Sequence, residues 1–118
     1  MRRPSKLRRG RMATAPKSEV LQIAELVSYQ DGSVVSRQIT KADAGNVTLF
    51  AFDKDQELSE HTAPFDALVH VLDGETEVRI AGKAFHLKTG DAIIMPANEP
   101  HALKALTRFK MLLTMIRN

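Results

Sequence analysis

His61-Thr-Ala-Pro-Phe-Asp-Ala-Leu-Val-His-Val-Leu-Asp-Gly74 and Gly90-Asp-Ala-Ile-Ile-Met-Pro-Ala-Asn-Glu-Pro-His101 are the stretches on which the reading of this chain turns. Each contains an apolar run flanked by turn-forming residues, and each carries a histidine at one end. Ala67–Leu72 is almost uninterrupted in its apolarity, the pattern of a strand covered on both faces. Asp73-Gly74 and Gly90-Asp91 are turn dipeptides, and Pro96 stops the second run because it has no N–H to offer a sheet.

Outward from these stretches, the same grammar repeats. Ser33–Thr40 and Val47–Phe52 are rich in β-branched and aromatic residues, with a turn at Ala44-Gly45-Asn46. Glu75–Ile80 alternates, with Thr76, Val78 and Ile80 on one side, and after Ala81-Gly82-Lys83 the residues Phe85 and Leu87 share the next inner face. Asp91–Met95, His101–Leu106 and Arg108–Ile116 complete the series. Short strands separated by frequent turns predict a sandwich or barrel, an all-β fold. Upstream, Val20, Ile23, Ala24 and Val27 follow Ser18 at helical spacing, which predicts a short N-terminal helix or turn capped by Ser18.

The last strand adds an expectation about assembly. Phe109, Met111, Leu113 and Met115 share one face, while Leu112 and Ile116 make the other partly apolar. One face fills the barrel; the second meets another layer of the same chain or a partner, and a homodimer is the expectation taken forward.

Composition sets the boundaries. At 118 residues the chain makes one domain with a core of its own. It has no cysteine, so disulfides and thiolate metal sites are excluded. No apolar run approaches membrane-spanning length, and a soluble cytoplasmic protein is expected. Six of the 17 basic residues, Arg2, Arg3, Lys6, Arg8, Arg9 and Arg11, lie within residues 1–11, and no acidic residue precedes Glu19. Without residues 1–11 the balance is 11 basic against 14 acidic side chains, a net of −3. The expected organisation is a disordered basic extension over 1–17, with Met12 as an alternative start, and a single β-barrel domain over 18–118. Such an arm could contact phosphates, but no aromatic or groove-reading element accompanies the charge, so nucleic acid is not the expected partner.

The two quoted stretches resemble the two motifs of the cupin family, and the resemblance covers about residues 45–116. In the second motif Gly90, Pro96 and His101 match, with Asn98 replacing a glycine at a position where asparagine tolerates left-handed backbone angles. In the first, anchored on Pro64 and Gly74, His61 matches, whereas Ala63 stands where a second histidine belongs and Ala67 where a glutamate belongs. The resemblance implies a jelly-roll barrel, the double-stranded β-helix of small RmlC-like cupins. It also implies a metal held by three imidazoles and a carboxylate, of which only His61 and His101 remain. Two imidazoles leave most positions of a divalent transition metal to water, so any such ion would be weakly held. Strand alternation points His70 away from the interior with Leu68 and Leu72, leaves His86 exposed, and puts Glu60 and Asp66 off the inward parity.

The candidate ligand pocket is therefore His61, Ala63, Ala67, Val69 and His101, the alanines enlarging a cavity where ligands would stand. Three functions remain open: a module binding a small anionic or polar molecule, a metal-dependent oxygenase or isomerase with a reduced site, and a barrel that only dimerises. A metal-free enzyme would use either histidine as general acid or base. The remaining chemistry is excluded. The glycines are scattered as turn residues, no serine sits in a nucleophile elbow, and Asp53/Asp55 and Glu75/Glu77 lie at turns or on outward faces.

Overall fold

A computed structural model describes residues 14–117. After one turn of 3-10 helix at Ile23–Leu26, nine strands follow among the described residues: β1 (Val34–Ala42), β2 (Gly45–Phe52), β3 (Glu57–His61), β4 (Asp66–Asp73), β5 (Glu75–Ile80), β6 (Lys83–Lys88), β7 (Ala92–Met95), β8 (His101–Ala105) and β9 (Phe109–Ile116). They form two antiparallel sheets, in the order β1-β2-β9-β4-β7 and β3-β8-β5-β6. The architecture is all-β, as the strand pattern predicts, and is the jelly roll that the resemblance implies.

Register explains the core. Residues opposite each other in a sheet point to the same side, so Phe52 facing Phe109, Phe50 facing Met111, and Met111 facing Val71 put the large apolar side chains in one layer. The alternation of β9 then carries Phe109, Met111 and Leu113 inward, all buried. From the second sheet come Val78, Leu87, Leu103 and Ala105. The rings of Phe52 and Phe109 lie with centroids 4.5 Å apart. Each such side chain, fully buried, contributes about 1.5–3 kcal/mol. Thr76, also fully buried, donates its hydroxyl to the Lys104 carbonyl at 2.8 Å, leaving no unpaired polar group there.

Part of the outer face of the five-stranded sheet is covered by the chain's own N-terminal segment. Leu26, Val27 and Tyr29 pack with Leu49, Ala51, Leu72 and Leu112 in a second apolar cluster. Polar contacts pin this strap. The Tyr29 hydroxyl donates to Asp73, the Lys110 ammonium donates to the Ala24 carbonyl at 2.6 Å, and Asp53 accepts from Arg108 Nε at 2.8 Å and from the Gly32 N–H at 2.7 Å. The Arg108 hydrogen bond, followed by that from Gly32, holds the Asp53 pKa down at about 2.

Several expectations change. The expected N-terminal helix or turn is a single 3-10 turn, without the Ser18 cap. Ser18 sits well before it in a left-handed conformation (φ 62°) and caps nothing, and Val20 is 94% exposed. Most of the extension expected over 1–17, including the basic arm, lies outside the described residues. Its described part is not loose: Ala15 is buried and its N–H donates to the Ile39 carbonyl at 2.9 Å, so the ordered domain begins ahead of Ser18. Strand β1 runs past Thr40 to Ala42 through an irregularity between Gln38 and Thr40, and Gly45 and Asn46 belong to β2 rather than to the turn. Strand β3 was not anticipated; all of its residues except Leu58 are exposed, so it carries no alternation to read.

Gly74 closes the β4–β5 turn with φ +82°, and a Cβ there would run into the Arg108 carbonyl and the Phe109 side chain. Left-handed strain and a backbone collision each cost about 1–3 kcal/mol. Gly74→Ala is therefore expected to lower unfolding stability by at least about 2 kcal/mol. Chemical denaturation would check this, and an unchanged midpoint would contradict it.

Candidate functional site

Strands β3 and β8 pair with Leu58 opposite Leu103 and His61 opposite His101. Between those pairs β3 spends two residues, Ser59 and Glu60, against the single Ala102 of β8, which is a β-bulge. Without the extra residue, Glu60 would stand opposite His101. The bulge turns the acid out and brings His61 in. On β8, His101, Leu103 and Ala105 alternate as buried positions, which fixes His101 toward the interior. The approach to β8 is pinned by Asn98, which takes the left-handed conformation expected of it (φ 66°) and donates its N–H to the Ala63 carbonyl at 2.7 Å. The loops carrying the two motifs are thus joined directly.

The two imidazoles meet with Nε2 atoms 3.2 Å apart and ring centroids 4.4 Å apart, edge to face. The outer nitrogens are also occupied: His61 Nδ1 faces the Ser59 carbonyl at 2.8 Å and His101 Nδ1 faces the Glu99 carbonyl at 3.2 Å. A carbonyl only accepts, so each of these contacts requires a proton on Nδ1. The carbonyl–ring–ring–carbonyl chain therefore contains three contacts, and each needs one positive hydrogen between two lone pairs. Two neutral imidazoles supply two protons. With both Nδ1–H bonds made, the two Nε2 lone pairs point at each other. The pair is one cation or one donor short.

A third proton on His101 is disfavoured. Burial first, and the neighbouring His61 second, hold its pKa below the ordinary histidine value, opposed by the Glu99 carbonyl. His101 is 4% exposed, whereas His61 reaches solvent.

The imidazoles open on a cleft of about 320 Å³, mouth included, whose walls are otherwise apolar. Ala63 and Ala67 line it, together with Leu58, Met95 and Met115. Ala67 faces both Met95 and Met115 across the sheet, and its small side chain leaves the space between them. Val69 does not line it. One inward position deeper, it is fully buried against its cross-strand partners Leu113 and Ile93 and belongs to the core. Leu58 and the two methionines were missed. Leu58 belongs to the unread strand, and Met95 and Met115 look like ordinary core residues until a floor of alanine exposes them.

The other candidates lie elsewhere. His70 is half-buried on the outer face of β4, opposite Leu112 and Ala92. His86 is exposed and its Nε2 pairs with Glu75 at 2.7 Å. Asp66 accepts the Ala97 N–H at 2.8 Å, and Glu60 is exposed. No group of three or more His, Asp and Glu side chains suited to a metal occurs among the described residues. The pair fits two neighbouring positions of a transition metal, since both Nε2 lone pairs converge; the carboxylate and further imidazole of a full cupin set have no substitute nearby.

A closed jelly roll with a histidine from each motif at its mouth defines the class, and the comparisons agree. The cupin domain model matches residues 48–116, more than half of the chain, and the chain belongs to the cupin family. A conserved protein of unknown function from Streptococcus pyogenes is 31% identical over 92% of this chain and 98% of its own, with a TM-score of 0.83. A cupin superfamily protein from Desulfitobacterium hafniense is 27% identical over 92% of this chain and 100% of its own, also at 0.83. A cupin 2 conserved barrel domain protein from Leptotrichia buccalis is 41% identical over 82% of this chain and 47% of its own, at 0.80. No curated protein matches the chain. No helix among the described residues is long and apolar enough to cross a membrane.

The His101 shift has a pH consequence. An unfolded chain takes up a proton near pH 6.5, and the folded site resists it, so the stability from a neutral His101 is complete above that pH and declines as pH falls below it. In chelator-treated protein, the melting temperature should fall between about pH 7.5 and 5.5, and fall less in His101→Gln. Equal slopes for the two proteins would contradict the assignment.

Proposed function

We propose that this cupin binds a small molecule in the barrel cleft, with the His61–His101 pair as its polar anchor. The supporting observation is the missing hydrogen: two converging Nε2 atoms, 3.2 Å apart, share two protons among three contacts. A hydroxyl or ammonium group entering the mouth supplies the donor the pair lacks, while its carbon skeleton rests on Leu58, Ala63, Ala67 and Met115. A carboxylate brings only acceptors and leaves the shortage as it was. The expectation of a small anionic or polar ligand is thereby narrowed to a polar, donor-bearing one.

The same observation favours a second reading, a metal-dependent enzyme with a reduced site. Two Nε2 atoms 3.2 Å apart suit adjacent ligands of an ion bound at about 2.0–2.1 Å. His61 and His101 would hold the ion and leave its other positions to substrate and water. Bound there, a divalent metal supplies Lewis acidity. The chain's own contribution is to keep both imidazoles oriented through the Ser59 and Glu99 carbonyls and to shield one side of the site with apolar side chains.

The two readings separate in one set of measurements. Small molecules of one carbon skeleton, bearing in turn a hydroxyl, an ammonium and a carboxylate, are tested for thermal stabilisation. A ligand at a hundred times its Kd adds about 2.7 kcal/mol. The hydroxyl or ammonium member should stabilise the protein, the carboxylate should not, and Ala67→Leu should abolish the effect by filling the cleft. One metal ion per chain in protein purified without chelator, lost in His61→Ala, would favour the second reading. No stabilisation and no metal would dismiss both.

A further inference from the structure

We infer that the cleft is a site for a soft univalent ion, Cu(I), held by His61 Nε2, His101 Nε2 and the thioether sulfurs of Met95 and Met115. Such a site presupposes the second reading above, in which the imidazole pair holds a metal, and changes which metal it holds.

Four donors come together from the two sheets. His61 and His101 stand opposite each other on β3 and β8 of the four-stranded sheet. On β9 and β7 of the five-stranded sheet, Met115 and Met95 lie in one cross-strand row with Ala67 between them. All five residues line the same cleft. Facing sheets stand about 10 Å apart, a gap that an imidazole from one side and a methionine from the other span together. Ala67 leaves the middle of its row open, and the rotatable bonds of each methionine let the sulfur swing over that space.

The donor set chooses the ion. A carboxylate would offset part of a divalent charge, but all four donors here are neutral. The acids of the flanking strands are engaged elsewhere: Glu60 is exposed on the bulge, and Asp66 accepts the Ala97 N–H. The cost of bringing a charge into apolar surroundings rises with its square, so an uncompensated divalent ion is penalised about four times as heavily as a univalent one. Thioether sulfur is soft and polarisable, suited to Cu(I) and unsuited to ions that prefer oxygen. Like Zn(II), Cu(I) has a filled d shell and imposes no geometry of its own. A cation between the Nε2 atoms also supplies the positive centre that three contacts and two protons leave missing. His61 reaches solvent while His101 and Met95 are buried, which makes His61 the ligand through which the ion enters.

The test is competition for Cu(I) between the full chain and a chromophoric Cu(I) chelator under anaerobic, reducing conditions, with Zn(II) and Mn(II) titrated separately. One Cu(I) per chain should bind, at least about a hundredfold tighter than either divalent ion. Met95→Leu and Met115→Leu conserve side-chain volume. Each should weaken Cu(I) by at least about tenfold, as much as losing an outer-shell partner commonly costs a metal site. Met111→Leu, in the core, should leave the affinity unchanged. X-ray absorption at the copper edge should show sulfur beside nitrogen in the wild type, and melting of the metal-free variants separates lost binding from lost folding. Zn(II) or Mn(II) bound as tightly as Cu(I), and indifferent to the methionine substitutions, would overturn the proposal and leave the divalent reading standing. No bound metal of any kind would remove both. Cu(I) held by nitrogen alone, with undiminished affinity in Met95→Leu and Met115→Leu, would overturn the sulfur assignment.

Discussion

A hydrogen-bonded chain that is one hydrogen short is the feature on which the account of this protein depends. The Ser59 carbonyl, the two imidazoles and the Glu99 carbonyl lie in series, and each end consumes a ring proton. What remains between the rings is a pair of lone pairs held in close approach. The fold holds the pair in that approach because β3 and β8 are pinned on both sides of it, by the Leu58–Leu103 register and by the Asn98–Ala63 hydrogen bond. Unsatisfied geometry held in place by surrounding structure is what a binding site offers a ligand.

The bulge in β3 and the alanine at position 67 act together. The first decides which residue of the Ser59-Glu60-His61 run faces inward; the second decides whether that residue looks onto a cleft or onto packed side chains. Met95 and Met115 flank Ala67 on neighbouring strands, and their flexible side chains can adjust to what enters. Below this level the barrel is closed by Val69 and Leu113, so the cleft is shallow and its ligand small.

The fold was legible in the sequence because its central strands carry strong signals. The unbroken apolar run of β4, the alternation of β5 and the two-faced β9 each announced their place, and Gly74 and Asn98 marked turns that require left-handed angles. The site was legible in part. His61, Ala63, Ala67 and His101 stand around one cleft, but Val69 was placed there by parity alone, and parity cannot tell the mouth of a barrel from its core. Strand β3 was invisible because nearly all its side chains face water, and with it went the bulge that orients His61. The proton count was also out of reach, since both carbonyls belong to backbone two residues before each histidine. Of the short N-terminal helix or turn the structure keeps the shorter form, a single 3-10 turn, because no side chain caps it and Val20 has no surface to cover.

The central claim is the state of two nitrogens, and long-range proton–nitrogen NMR of the histidine rings reads it directly. In chelator-treated protein near neutral pH, the account predicts that His61 holds its proton on Nδ1, protected by the Ser59 carbonyl, with Nε2 unprotonated and in contact with the His101 ring. Spectra in which both rings carry their proton on Nε2 as independent, solvated imidazoles would contradict it.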